Sequence, residues 1–262
     1  MQQLRRFEDY LQERPEPTGI DVICGLKHFS IITYAVPVER FAGMIPDRFA
    51  IDIVSINGEN KGLISVVPFI DVDFTSAVYP FPKFTMPQTN YRIYIIDKQT
   101  GERCVWFLGT TLDSWTLAVP RYVWQLPWHS AKVSFDCHFD DATELYTKYV
   151  MNAQSDWAAA SVSLQQTGEE VLSFAGFPNV ESALIYITHP LAGFYHRRDG
   201  KLGTYRVWHK RLEVKPATLI SANFKLLSDF GIVPNSEQNN PYSVLVEPLN
   251  EFTIYLPPKI LD

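Results

Sequence analysis

Apolar residues in this chain recur at two spacings, and the shorter one dominates. Leu4, Phe7 and Leu11 repeat at helical spacing, and Pro15 and Pro17 end that amphipathic helix. Beyond it the pattern changes to short alternating runs rich in β-branched and aromatic residues, which predicts strands. Residues 22–36 read as extended, and Pro37 fits the first turn of a short helix reaching about Met44. Strands are predicted over 50–55 and 62–69, with Asn57-Gly58 between them as a hairpin signal, since both residues accept positive φ. A second hairpin is predicted from strands 91–96 and 104–108 around the turn at 97–101. Asp113 or Ser114 can cap a helix ending near Pro120. Further strands are expected at 132–139, 159–165, 171–174, 193–198, 205–214, 244–247 and 252–256. Helices are expected at 181–187 and 223–230, the latter with Gly231 as its C-terminal cap. Residues 234–241 form the best loop candidate, and no repeat or linker divides the chain. The expectation is therefore an α+β chain: residues 1–20 as N-terminal helix and lead-in, then one domain over 21–262 built on a strongly curved, largely antiparallel sheet.

Composition narrows the function more than the fold. With 262 residues, 46% hydrophobic and 20% charged, the chain can bury a large core and is not of the disordered class. Its formal net charge of −6 excludes a broad nucleic-acid footprint, which requires clustered Lys and Arg. The runs His196-Arg197-Arg198 and His209-Lys210-Arg211 are too short and too separated to change that. Cys24, Cys104 and Cys137 are widely spaced and form no CxxC pair, so they read as buried free thiols in a reducing cytoplasm. The charged N-terminus does not match a signal peptide, and no apolar run reaches the ~20 residues of a membrane span. A cytoplasmic protein with neither nucleic-acid nor membrane partners is expected.

The segment Arg121-Tyr122-Val123-Trp124-Gln125-Leu126-Pro127-Trp128-His129-Ser130-Ala131 is the most telling stretch. It resembles the signature of acetoacetate decarboxylase, in which an Arg-led stretch runs into Pro-Lys-Lys-x-Ala. Here the two lysine positions fall on Trp128 and His129. The resemblance continues in Ile45-Pro46-Asp47, in Val66-Val67-Pro68-Phe69, in Gln88-Thr89-Asn90-Tyr91-Arg92-Ile93-Tyr94, in Val207-Trp208-His209 and in Tyr255-Leu256-Pro257-Pro258. It is strongest with the uncharacterised branch of that superfamily, which also lacks the lysine pair. The resemblance implies a barrel-like sheet enclosing a central cavity, with a few peripheral helices, and it allows a homo-oligomer. It also implies a lost chemistry. The decarboxylase forms a Schiff base through an activated lysine; tryptophan has no amine and imidazole forms no iminium. Gln88 stands where a family strand is usually entered by a glutamate, and glutamine holds hydrogen bonds but takes up no proton. Lys132 shares strand parity with Trp128 and is expected to be solvated.

The remaining candidates each carry two readings. Arg92 and Tyr94 share one face of an alternating strand and can point into the cavity, where Arg92 would fork a carboxylate; otherwise Arg92 pairs with a structural Asp or Glu. Arg121 is expected to fix the helix-to-strand turn. Trp128 and His129, being adjacent, face opposite sides of an extended chain, so one lines the pocket and the other packs behind it. His129, His189 and His209 lack the spacing of a metal site, and no cofactor or metal is implied. Gln88, Arg92, Tyr94, Arg121, Trp128 and His129 are thus the candidate ligand-binding residues, with His129 the one catalytic candidate. Three functions stay open: a binding protein for a small apolar carboxylic acid or ketone, a lysine-independent acid–base enzyme on an enolisable carbonyl, and a scaffold with a filled cavity.

Overall fold

The computed structural model describes residues 13–261; the helix expected around Leu4, Phe7 and Leu11 lies outside them. In chain order the strands are β1 (Val22–Pro37), β2 (Phe49–Ile51), β3 (Val54–Ile56), β4 (Glu59–Ser76), β5 (Phe84–Asp97), β6 (Arg103–Leu112), β7 (Trp128–Ser130) and β8 (Lys132–Asp140). There follow β9 (Leu145–Gln154), β10 (Ala160–Gln165), β11 (Ala192–His196), β12 (Leu202–His209), β13 (Lys215–Pro216), β14 (Thr218–Phe224) and β15 (Ser243–Leu261). The helices are α1 (Val180–Thr188) and the short α2 (Lys225–Asp229), which Gly231 ends at φ +66°.

The main sheet runs β5-β4-β1-β15-β12-β11-β6 and closes on itself because β6 also pairs with β5. All of these pairings are antiparallel except β11 with β6. The result is a closed mixed barrel, the curved and cavity-forming sheet expected from the sequence. Closure removes the open edges that a sheet of this length would expose. Both expected hairpins form: Asn57 (φ +52°) and Gly58 (φ +82°) join β3 to β4, and the turn between β5 and β6 closes on Asp97 and Gly101. The helix expected after Pro37 is a single 3-10 turn, Val38–Phe41. Ser114 caps another such turn over Trp115–Leu117 by accepting from the Thr116 N–H at 3.1 Å. The chain then winds through a π-helical turn, Val119–Val123, before the extended segment that becomes β7.

Three expectations need correction. A second sheet, in the order β14-β10-β9-β8, packs on the outside of the barrel; β9 and β14 were not expected. In β9 a register shift opposite His138 and Phe139 breaks the alternation, so Tyr146 and then Tyr149, Met151 and Ala153 all turn inward. In β14 most residues are partly or fully exposed, which hides the apolar pattern. Residues 171–174 form no strand: Phe174 is buried against the core, and packing without backbone pairing gave that stretch its strand-like apolar pattern. The strand expected over 205–214 ends at His209, after which Leu212 and Val214 pack into the core as irregular chain.

The two faces of the barrel hold two apolar clusters. The outer one joins Tyr91, Ile93 and Trp106 to Tyr146, Tyr149 and Met151 of the second sheet. The inner one joins Leu26, Phe29, Val67, Phe69 and Val105 to Ala183, Leu184 and Ile187 of α1. Helix α1 packs its buried face against this inner cluster. No helix among the described residues is long and apolar enough to cross a membrane.

Candidate functional site

All seven strands of the barrel contribute to the wall of one interior cavity of about 110 Å³. At the ~30 Å³ that a water occupies in the liquid, that volume has room for about four waters or a small organic ligand. One side is closed by the segment after the π-helical turn, whose alternate residues Trp124, Leu126 and Trp128 face inward. This segment is held on both flanks. The Thr110 N–H donates to the Pro127 carbonyl at 3.1 Å, and Arg121 donates through Nη1 to the Trp128 carbonyl. Gly109 lets the segment approach: a Cβ there would stand 2.7 Å from the Pro127 oxygen and 2.5 Å from the Trp157 ring.

Most of the wall is apolar, with Phe29, Phe69, Phe107 and Phe252 among its members. Its polar groups are few and concentrated on β4, β5 and β12, as a small-molecule site requires. On β5, Gln88, Asn90 and Arg92 face the cavity while Thr89 and Tyr91 face outward, the alternation of a strand. Arg92 donates through Nη2 to the Ile187 carbonyl at 3.0 Å, and its Nε has no hydrogen-bond partner. Among the described residues no carboxylate pairs with it. Asp71 on β4 is fully buried; the Gln88 amide donates to its Oδ2, and its Oδ1 has no partner. Burial, opposed only by the Cys24 thiol and the Gln88 amide, pushes the Asp71 carboxyl up to about 7. His209 on β12 is buried with Nδ1 at 2.7 Å from the Lys210 carbonyl, and desolvation lowers it to about 3. It is therefore a neutral imidazole at physiological pH. Tyr205 stacks on Phe107 with ring centres 5.6 Å apart, and its phenol is pushed up by burial.

The candidates named from the sequence divide between this cavity and its outside. Gln88, Arg92 and Trp128 line it. Tyr94 does not: its hydroxyl lies at 2.8 Å from Ser65 Oγ and 2.9 Å from the Ile187 carbonyl, sealing α1 against β5. Arg121 and His129 belong to a separate surface cleft. There His129 stacks on Trp157 at 3.9 Å and 6°, and burial together with Arg121 and Arg198 lowers its imidazole to about 4. Lys132 is exposed, and no lysine is among the residues lining the cavity. His189 and His209 pack ring to ring at 5.0 Å, with His129 in the other cleft. Among the described residues no three His, Cys, Asp or Glu side chains gather as a metal site. Asp71, Asn90 and Tyr205 are wall residues that the sequence reading passed over. Asp71 carried a usable signal, an acid inside the apolar run from Val66 to Val72.

The DUF2071 family, described as an uncharacterized conserved protein, matches residues 25–248. The chain belongs to the DUF2071 family. No curated protein matches this DUF2071 chain. Solved structures do. An acetoacetate decarboxylase-like enzyme from Sphingomonas wittichii RW1 superposes with a TM-score of 0.59 at 9% identity, covering 94% of each chain. Acetoacetate decarboxylase from Legionella pneumophila subsp. pneumophila str. Philadelphia 1 gives 0.55 at 14% identity, covering 100% of this chain and 98% of that one. The enduracididine biosynthesis enzyme MppR complexed with pyruvate gives 0.51 at 9%, covering 96% and 92%. At these identities the likeness is one of fold: this DUF2071 chain has the acetoacetate decarboxylase-like barrel.

Proposed function

We propose that this protein binds a small, largely apolar carboxylic acid, with or without a ketone, in the barrel cavity and without Schiff-base chemistry. The observation that carries this reading is Arg92. A half-buried guanidinium on an apolar cavity wall, with Nε unpartnered and no carboxylate beside it among the described residues, has no counter-ion for its charge. A ligand carboxylate supplies it, in the geometry that suits arginine. The aromatic wall would take the apolar remainder, and the lining offers no lysine to form an imine. A relative of the same fold, MppR, has been captured with pyruvate, itself an oxo acid. The three cysteines form no disulfide, which fits work in the cytoplasm.

The test is a thermal-shift screen with short fatty acids, aromatic carboxylates and oxo acids, on wild type and Arg92→Ala. At 100 times its dissociation constant a ligand stabilises by about 2.7 kcal/mol. That corresponds to a rise of roughly 2–4 °C per kcal/mol for a chain of this size. A rise in wild type that disappears in Arg92→Ala is expected. A rise of equal size in both proteins would remove Arg92 from the site, and no rise with any acid would leave the filled scaffold as the reading.

A further inference from the structure

Three polar side chains stand in file on the inner face of β5. Gln88, Asn90 and Arg92 are two residues apart, roughly 7 Å from one to the next along the strand. Arg92 takes one end. In the middle, Asn90 Oδ1 accepts the Thr110 hydroxyl at 2.6 Å, which leaves the amide Nδ2 as the donor of that side chain. At the other end Gln88 donates to Oδ2 of Asp71, a residue of the same cavity lining whose Oδ1 is buried without a partner. No cation pairs with Asp71 among the described residues. Cys24 on β1 and Tyr205 on β12 are the titratable groups that interact with it, and Arg92 and His209 are the other ionisable groups on the cavity wall. A carboxyl held near neutrality in this way can both accept a proton and return it.

We propose that Asp71 is the acid–base group of this cavity, moving a proton at a carbon beside the ketone of a short oxo acid. This rests on the acid-binding reading above. Arg92 holds the carboxylate, the ketone oxygen faces the Asn90 amide, and the carbon on the far side of the ketone meets the Asp71 carboxyl. In the forward step the Asp71 carboxylate takes a proton from that carbon. The C–H electron pair becomes the C=C bond, and the carbonyl π pair moves onto oxygen, where the Asn90 amide donates to the enolate. In the reverse step Asp71 returns a proton to carbon. No electrons are lost or gained and no co-reactant is consumed, so in D2O each cycle exchanges hydrogen for deuterium. The roughly 7 Å between neighbouring positions of the file suits a ketone several carbons from the carboxylate, a 4-oxo or 5-oxo acid, over a 2-oxo acid whose two groups are adjacent.

The experiment follows deuterium entry into 4-oxopentanoate and 5-oxohexanoate by proton NMR, with thermal shifts on the same samples. Exchange about 100-fold or more above buffer is expected from wild type. In Asp71→Asn it falls to the buffer rate while the thermal shift persists. Gln88→Leu, which removes a donor to the charged carboxylate, moves the pH midpoint of exchange upward, marking Gln88 as a positioning residue. A thermal shift without exchange in wild type overturns this inference and leaves acid binding intact. Exchange that survives in Asp71→Asn overturns the assignment to Asp71. No shift and no exchange with either acid overturns this inference, and the acid-binding reading falls with it only if the wider acid screen is also without a shift.

Discussion

Asp71 and His209 show how a cavity wall can hold ionisable groups in their neutral forms, and they pull stability in opposite directions. An Asp in the unfolded chain releases its proton near 3.8, whereas the folded Asp71 keeps it to about 7. Between those values the native state binds the extra proton, so stability falls as pH rises, and the loss is complete above about 7. His209 is shifted downward, from 6.5 to about 3, so its unfolded form binds the extra proton and stability falls as pH drops below 6.5. At pH 8 the Asp71 penalty is fully present and the His209 penalty is absent. Asp71→Asn, which keeps the shape and a partner for Gln88, is therefore expected to raise the thermal midpoint at pH 8. The gain should be of order 2–4 kcal/mol, at about 1.4 kcal/mol per unit, and should vanish near pH 4. Melting both proteins across that range checks it; a constant difference at all pH values would mean that the Asp71 carboxyl does not titrate differently in the two states. A group that destabilises the fold at neutral pH is in keeping with use rather than architecture.

At the scale of elements, what the sequence made legible follows from local signals. The Asn57-Gly58 hairpin, the turn after Asp97, the strand over Val22–Pro37 and the Gly231 cap all depend on a few adjacent residues, and all are present. The alternation of β5 was equally plain, and Gln88 and Arg92 do share its inner face. The second sheet was not legible, because the parity switch in β9 arises from its pairing with β8 and is invisible in β9 alone. Asp71 was missed for a related reason: its meaning comes from Gln88 across the ladder, seventeen positions away. The signature segment is an intermediate case, since its two sides were expected but its anchor was not. That anchor is Gly109 on β6. Gly109→Ala would drive a Cβ to 2.5 Å from Trp157 and 2.7 Å from the Pro127 carbonyl, neither of which can move freely. The expected cost is about 1–3 kcal/mol, the usual range for overpacking, seen as a midpoint several degrees lower. An unchanged midpoint would mean that the segment is not held where β6 meets it.

For the whole molecule, the barrel converts one adjacency, Trp128 beside His129, into a division between two compartments. The cavity has Trp128 on its wall, while His129 lies in the outer cleft against Trp157. Positions that correspond by resemblance to a pair of lysines thus no longer share one chemistry: one shapes the interior and the other packs the exterior. Two substitutions separate these roles on a single ligand series. Trp128→Ala removes a large side chain from the cavity wall, and the space it leaves is expected to favour longer acids. Thermal shifts across a series of straight-chain acids should therefore peak at a longer chain than in wild type. His129→Ala should leave the position of that peak where it is, because no atom of the imidazole is on the wall. It should lower only the baseline midpoint, by about 1 kcal/mol, the scale of an aromatic stack. If the chain-length optimum moved in His129→Ala and stayed fixed in Trp128→Ala, the ligand would sit in the outer cleft with Arg121. The interior would then be a packed core whose polar file serves the fold alone.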